Sequence, residues 1–254
     1  MVRFSNWIPR WCVAAWLALV LVLSPTPMAR GGNPNPGVAP LKSHIHGRTY
    51  AEWARAWWAW AVSIPADQNP VLDETGEFAG VGQSGHVWFL AGTIFSGTFE
   101  RDVTVPTGTA LFFPALNALF WAPDDLDDAA SFAEEAGLDP ALMTDEELIR
   151  FVVGLAVDDP ALLRVTVDGT ELRGLEGYRA ASDAFELTDT DLIDTLGGEI
   201  SHPNLAVADG YWVMLHPLPP GEHTIRIESA IDQGPFAGTA SDVTYHLTVR
   251  AGRR

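Results

Sequence analysis

Two histidines separated by one residue, His44 and His46, are the most metal-like pair in the chain. In an extended segment both imidazoles would point to the same side, where two nitrogens could hold zinc or copper. The spacing offers no third ligand, and histidine often occurs in proteins without a metal. The pattern therefore favours two exposed histidines in a leader segment, and we predict no metal and no cofactor.

Carboxylates form two further candidate groups, the first at residues 124–128 and the second at residues 73–102. The first could bind Ca²⁺ through oxygen ligands, but it lacks the alternation and the glycine of an EF-hand loop, so a solvated acidic loop is favoured. The second could serve glycoside hydrolysis, which needs a pair of acids. The sequence places no two of that second group at a useful separation. The first group is Asp124, Asp125, Asp127 and Asp128, and the second is Asp73, Glu74, Glu100 and Asp102.

Gln83 and His86 are the first two residues that we predict to bind a ligand. With Ser84 they could form a polar edge beside an apolar strand. The segment is not the Gly-x-Ser-x-Gly turn of serine hydrolases, and no strand-to-helix turn is predicted there. Acyl transfer is therefore not expected at this edge.

Trp121 and Arg179 are the other two predicted binding residues. Trp121 lies next to the acidic loop and is the best candidate for an exposed ring that stacks on a sugar. Arg179, with Ser182 and Asp183, favours an ion-pair corner between strands, with a ligand contact as the alternative.

A tryptophan-rich helix is predicted ahead of these residues. Thr49 and Glu52 have the spacing of a capping box, and the following segment lacks glycine and proline until Pro65. Its apolar residues recur at helical spacing, so we expect them to pack in the core rather than to bind glycans. They are Tyr50, Trp53, Trp57, Trp60 and Ile64, with Trp58 widening the stripe.

Alternating strands dominate the rest of the chain and predict a mainly β fold. Residues 99–105, 163–167, 225–231 and 243–249 alternate apolar and polar side chains, and Asp168-Gly169 predicts a tight hairpin. Such strands indicate an antiparallel β-sandwich, jelly-roll or immunoglobulin-like, with the tryptophan helix against it. Residues 122–160 read instead as a small helical insertion, with a second capping box at Thr144 and Glu147.

The N-terminal segment is predicted to direct export. Residues 1–29 combine Arg3 and Arg10 with an apolar run that is short for a membrane span, which is typical of a signal peptide. An uncleaved N-terminal anchor is the alternative. Residues 30–48 read as a flexible leader, and residues 49–254 as a single sandwich domain without a cysteine. We therefore expect a secreted or periplasmic bacterial protein with no membrane span after cleavage.

Charge limits the partners. The chain has a formal net charge of −18, and removing residues 1–29 would take away two arginines and no acid. An acidic protein repels phosphate backbones, so nucleic acid is not an expected partner.

Three motifs carry a resemblance to a known group of proteins. They are the helix Tyr50–Trp60, Gly82-Gln83 followed by Val87–Gly92, and Val105–Gly108 followed by Leu111–Pro114. The chain resembles a family of uncharacterised secreted bacterial signal-peptide proteins, most strongly over residues 49–117. The resemblance implies export and a shared fold, and it implies no catalytic residue. Relatives often carry a cysteine before each of the second and third motifs, and this chain has neither.

Two function classes follow from these observations. The first is a secreted, non-catalytic binding or surface-structural domain, with extracellular polysaccharide or a cell-envelope component as its expected partner. The second is an extracellular hydrolase that uses carboxylates or a bound metal. The first is favoured because the chain is rich in tryptophan and shows no catalytic signature.

Overall fold

The computed structural model describes residue 35, residues 37–188 and residues 191–251. The predicted signal peptide, residues 1–29, and the first part of the predicted leader lie outside these residues. Among the residues described, no helix has the length and apolar character needed to cross a membrane.

The described residues form mainly β-structure, arranged in two sheets. The strands are β1 (Val87–Phe89), β2 (Gly97–Pro106), β3 (Ala110–Ala122), β4 (Leu162–Val167), β5 (Thr170–Glu171), β6 (Leu205–Leu215), β7 (Gly221–Ile231) and β8 (Thr239–Arg250). The small sheet has the order β1-β3-β6, and the large sheet has the order β2-β8-β7-β4-β5. Buried side chains from both sheets share one hydrophobic core, which confirms a mainly β, broadly sandwich-like architecture.

Both sheets are mixed, which corrects the prediction of purely antiparallel pairing. Strand β1 runs parallel to β3, and β2 runs parallel to β8, whereas the other pairs are antiparallel. The reason is topological, since β2 belongs to the large sheet while β1 and β3 belong to the small one. Alternation tells which face of a strand is buried, but it does not tell which strand lies beside it.

Helix α1 (Tyr50–Val62) packs its tryptophan stripe into the shared core. Thr49 and Glu52 form the predicted capping box, with the Thr49 amide donating to Glu52 Oε2 at 2.7 Å. Trp57 is 1% exposed, and its ring meets the ring of Trp212 in the small sheet edge-on, with centroids 5.7 Å apart. The prediction that this helix is laid against the sheets is confirmed.

Two helices follow β3 in the segment that was predicted as a helical insertion. Helix α2 (Leu126–Glu135) and helix α3 (Asp145–Leu155) bury apolar residues against the small sheet, and α3 begins with the predicted capping box. A fourth helix, α4 (Asp191–Thr195), contributes Leu192 and Ile193 to another apolar cluster. Short 3₁₀ turns lie at Ala66–Gln68, Pro140–Leu142 and Leu175–Tyr178.

A buried arginine lies on the inward face of β2, where the alternating pattern predicts apolar side chains. Arg101 is 2% exposed, and its Nη1 donates to the carbonyls of Ala91 and Gly92, at 3.0 Å each, and to the Tyr245 hydroxyl at 2.6 Å. These bonds tie the loop of residues 90–96 to the large sheet, and this loop borders a cleft described below.

The hairpin between β4 and β5 is held by a histidine from β7. Asp168 and Gly169 both have positive φ, as a tight Asp-Gly hairpin requires. His223 Nδ1 lies 2.7 Å from Asp168 Oδ2, and His223 Nε2 lies 2.9 Å from the Pro219 carbonyl. Burial disfavours the charged imidazole, but these hydrogen bonds and the Asp168 charge outweigh it and raise the pKa of His223.

We expect this contact to make stability fall as the pH rises through neutrality. Because the pKa of His223 is raised on folding, its stabilising contribution is present below about pH 6.5 and is lost as pH rises through the folded-state pKa. The unfolding free energy of the wild type should therefore drop relative to that of His223→Gln between about pH 6 and 8, by less than about 1 kcal/mol since Asp168 is half-exposed. Urea denaturation at several pH values measures this. The exposed His44→Gln should follow the wild type, and parallel curves for His223→Gln would contradict the assignment.

Candidate functional site

A polar pocket lies between helix α1 and the two loops that carry the sequence motifs. We call it the histidine pocket. It has a volume of about 440 Å³, and no aspartate or glutamate lines it. It is lined by His46, Arg48, Trp53, Ala56, Trp60, Ser63, Gly82, Ser84, Gly85, His86, Val87 and Phe89.

Indole hydrogen bonds from α1 fasten both walls of this pocket. Trp53 Nε1 donates to the Ile45 carbonyl at 3.0 Å, and Trp60 Nε1 donates to the Val81 carbonyl at 3.0 Å. The helix therefore holds residues 43–48 on one side and residues 79–86 on the other. Buried tryptophans usually find such a partner for their N–H group, and here the partners build the site.

Gln83 holds the second wall in position. Its Nε2 donates to the carbonyls of Ala79 at 3.0 Å and Phe89 at 2.7 Å, and its Oε1 accepts from the Phe89 amide at 2.9 Å. The preceding Gly82 has φ +67°, and a Cβ there would lie 3.0 Å from Trp60 Nε1. The Gly-Gln motif thus lets the loop approach the tryptophan closely and then locks it to β1.

His46 and His86 meet at this pocket although they are far apart in the sequence. Their rings stack with centroids 5.3 Å apart. Positive φ at His46 and Gly47 turns the segment back on itself, so it is not the extended segment that was expected, and His44 does not line the pocket. The fold therefore brings two imidazole rings from separate loops to the same pocket.

Arg48 adds a permanent positive charge to the same pocket. Its guanidinium lies over the Trp53 ring, 4.9 Å from the centroid. Within the described part of the chain, no carboxylate forms a salt bridge with it. Sequence reasoning passed over Arg48, although the basic run Lys42, His44, His46 and Arg48 in so acidic a chain was a usable signal.

A second cavity, of about 300 Å³, lies between the two sheets, and we call it the inter-sheet cleft. Strand β3 lines it with consecutive residues from Pro114 to Phe120, beside an irregularity in its pairing with β6. Ile94 and Phe95 also line it, and both are exposed, so the cleft reaches solvent beside the 90–96 loop. Nothing in the sequence marked this cavity.

Trp121 does not present a free ring. It is half-buried against the cluster formed with α4, and its Nε1 donates to the Glu199 carbonyl at 2.9 Å and to Asp124 Oδ2 at 3.1 Å. Two aspartates of the predicted acidic loop also have partners, whereas Asp127 and Asp128 lie exposed in the first turn of helix α2. Asp124 accepts from the Ser201 hydroxyl at 2.7 Å, and burial raises the pKa of Asp125, which accepts from the Trp121 amide, to about 6.

Arg179 makes an ion-pair corner, but with other partners than those expected. Its guanidinium donates to both carboxylate oxygens of Asp209, the shortest distance being 2.7 Å, and also to Asp158. Ser182 instead accepts from the Ala208 amide at 3.0 Å, and Asp183 is exposed. The arrangement accounts for Arg179 without a ligand.

The carboxylates considered for hydrolysis do not converge on either cavity. Asp73 is buried and accepts from the Thr75 and Phe78 amides, at 2.8 Å each, while Glu100 pairs with His246 on the exposed face of the large sheet. Glu74 and Asp102 are exposed and line neither cavity. Over the described ranges, no three histidine, cysteine or acidic side chains are grouped to hold a metal ion.

Ser84 and His86 both line the histidine pocket. Across residues 37–188 and 191–251, no hydrogen bond joins the Ser84 hydroxyl to an imidazole. The arrangement offers the positive charge of Arg48 and the hydroxyl groups of Ser63 and Ser84 to a ligand. Comparison with protein-family models, with curated proteins and with solved structures finds no match for this chain.

Proposed function

We propose that this chain is a secreted, non-catalytic binding domain that takes an acidic extracellular saccharide in the histidine pocket. One observation carries the proposal. In a chain of net charge −18, a pocket of about 440 Å³ collects Arg48, His46 and His86 and excludes every carboxylate. Such a local reversal of charge favours a ligand that brings a carboxylate or sulfate group.

The walls of the pocket support a saccharide over a simple ion. Hydroxyl groups of Ser63 and Ser84 and aromatic side chains line it beside the charges. A sugar acid presents both hydroxyl groups and a carboxylate, so it matches these partners in kind. The walls are fastened by indole and glutamine hydrogen bonds, and a pre-formed site loses less conformational entropy on binding.

We also propose that the chain is exported and that it is a member of the family of secreted signal-peptide proteins. Both rest on the pattern of residues 1–29 and on the three motifs, two of which build the histidine pocket. For the scaffold, we propose a jelly-roll or immunoglobulin-like sandwich, since both kinds present loops at the ends of their sheets. The alternative of an extracellular hydrolase has less support, because neither cavity is lined by an acid pair.

Calorimetric titration with a galacturonic acid trimer, and with the neutral galactose trimer, tests the proposal. We expect the acidic trimer to bind and Arg48→Gln to weaken it by about tenfold, because a charge-assisted hydrogen bond is lost.

Arg164→Gln is the matched control, because Arg164 lies on the large sheet with its side chain exposed. Its affinity for the acidic trimer should equal that of the wild type. Equal binding of the two trimers, or equal loss in the Arg48 and Arg164 variants, would refute an acidic-saccharide site. Hydrolysis of either trimer would refute the non-catalytic assignment.

A further inference from the structure

The histidine pocket has few hydrogen-bond acceptors for a ligand, because no carboxylate lines it. Two backbone carbonyls of its walls, those of Ile45 and Val81, already accept from the indoles of α1. The Arg48 guanidinium only donates hydrogen bonds, so it can hold an acid group but cannot accept from a sugar hydroxyl. The hydroxyl groups of a saccharide donate as well as accept, and a pocket that binds a saccharide must therefore supply acceptors.

Two imidazoles supply, together with the serine hydroxyls, the side-chain acceptors of this pocket. One nitrogen of a neutral imidazole accepts a hydrogen bond, and the other donates one. In the described part of the chain, neither His46 nor His86 uses its ring in a hydrogen bond, and both residues are exposed. Their rings lie nearly parallel, with planes 23° apart and centroids 5.3 Å apart. Both rings are therefore available to hydroxyl groups of a ligand in the pocket.

The turn that carries His46 favours other residues at this position. His46 and Gly47 both have positive φ, 50° and 81°, and the Arg48 amide donates to the Ile45 carbonyl at 3.1 Å. Positive φ at both central residues is the geometry of a type I′ turn. Such turns favour asparagine, aspartate or glycine at the first central position, where this chain has a histidine.

The hairpin at Asp168-Gly169 provides a comparison within the chain, since both of its central residues also have positive φ. There the favoured residue stabilises the fold, because the Asp168 carboxylate accepts from the Thr224 amide at 2.9 Å. His46 makes no comparable bond to the rest of the described chain. A residue that is held in an uncommon conformation without such a bond indicates a functional constraint.

We infer that His46 and His86 determine specificity in the histidine pocket by hydrogen-bonding the hydroxyl groups of a sugar acid, while Arg48 holds its carboxylate. This inference rests on the proposed function, and it narrows the ligand to a polyhydroxylated acid. A simple carboxylate of equal charge leaves the two imidazoles without partners. It should therefore bind more weakly than the sugar acid.

Two ligands that each carry three carboxylates test this selectivity: the galacturonic acid trimer, and tricarballylate, which has no alcohol group. By calorimetry at about pH 8, above the range in which imidazoles ordinarily titrate, the wild type should bind the trimer at least tenfold more tightly. His46→Asn and His86→Phe should each weaken trimer binding by about three- to tenfold, the usual net effect of one hydrogen bond. Equal affinity of the wild type for the two ligands would overturn the inference.

Salt dependence separates hydroxyl recognition from attraction between charges. Between about 50 and 500 mM NaCl, screening should weaken trimer binding to the same degree in the wild type, His46→Asn and His86→Phe, and to a smaller degree in Arg48→Gln. A smaller salt effect in the histidine variants would mean that they contribute charge, which contradicts the assignment. His44→Asn is the matched control, because His44 does not line the pocket, and its affinity should equal that of the wild type.

Stability provides a second readout, which a merely structural role would move in the opposite direction. Because asparagine is favoured in a type I′ turn, His46→Asn should have a urea midpoint equal to or above that of the wild type, while its trimer affinity falls. A lower midpoint with unchanged affinity would show that His46 serves only the fold. If the wild type bound no acidic trimer, the proposed function would fail. If the trimer bound equally well to the wild type and both histidine variants, only the present inference would fail.

Discussion

Trp57→Ala is expected to lower the free energy of unfolding by about 3–5 kcal/mol, the range for removing a large buried aromatic side chain. Trp57 is 1% exposed, contacts the rings of Trp58, Trp60 and Trp212, and donates from Nε1 to the Leu90 carbonyl at 2.9 Å. The substitution would leave a cavity between α1 and the small sheet and would free the Leu90 carbonyl. Urea denaturation of the mature chain measures the loss.

Trp58 provides the matched control for this prediction, since it follows Trp57 on the same helix. Trp57→Phe should cost about 1–3 kcal/mol, because it leaves the buried Leu90 carbonyl without its donor. Trp58→Phe removes an indole N–H that has no partner among the described residues, and we expect a loss below about 1 kcal/mol. Equal costs at the two positions would mean that the Leu90 bond contributes nothing. A loss below about 1 kcal/mol for Trp57→Ala would mean that α1 is not part of the core.

Arg179→Met should lower the free energy of unfolding by about 2–3 kcal/mol, because it leaves the Asp209 carboxylate buried and unpaired. The Asp209 side chain is 9% exposed and receives two nitrogens of the guanidinium, with 2.7 Å as the shortest distance. The expected loss is smaller than for a fully buried pair, since the Arg179 side chain is 32% exposed and solvent screens part of the interaction. Denaturation by urea gives the value directly.

A second substitution separates an unpaired charge from lost packing. In Arg179→Met/Asp209→Asn the carboxylate charge is gone, so about half or more of the lost stability should return. Arg226→Met, which breaks the more exposed pair with Asp242, should cost less than about 1 kcal/mol. If Arg179→Met left stability unchanged and instead abolished binding of a ligand, the ligand contact considered from the sequence would replace the ion-pair corner.

Local sequence patterns were sufficient to predict those features that depend only on residues close together in the sequence. The capping boxes at Thr49 and Thr144 form as predicted, and so does the Asp168-Gly169 hairpin. The tryptophan stripe of α1 is buried because residues three and four apart share one face of a helix. The apolar run in β6 is buried along nearly its whole length, since helices α1 and α4 pack against one face of this strand and helices α2 and α3 against the other.

The candidate sites could be predicted only in part. His86 does line a pocket, but its neighbour there is His46 from another loop, and Gln83 holds that loop in place. Trp121 donates within the fold, and Arg179 faces acids that no spacing rule connects to it. Each of these outcomes depends on a contact between residues that are distant in sequence.

By itself, the sequence determined the acidic charge, the apolar helix, the faces of the strands and the turns, because these follow from residue types at short spacing. Only the tertiary structure decided that the strands form two mixed sheets, that a positive pocket lies in an acidic protein, and that two histidines from separate loops meet in it. The physical reason is that strand partners and cavities arise when distant segments exclude water together. That choice is made by the packing of the whole core, which no single segment encodes.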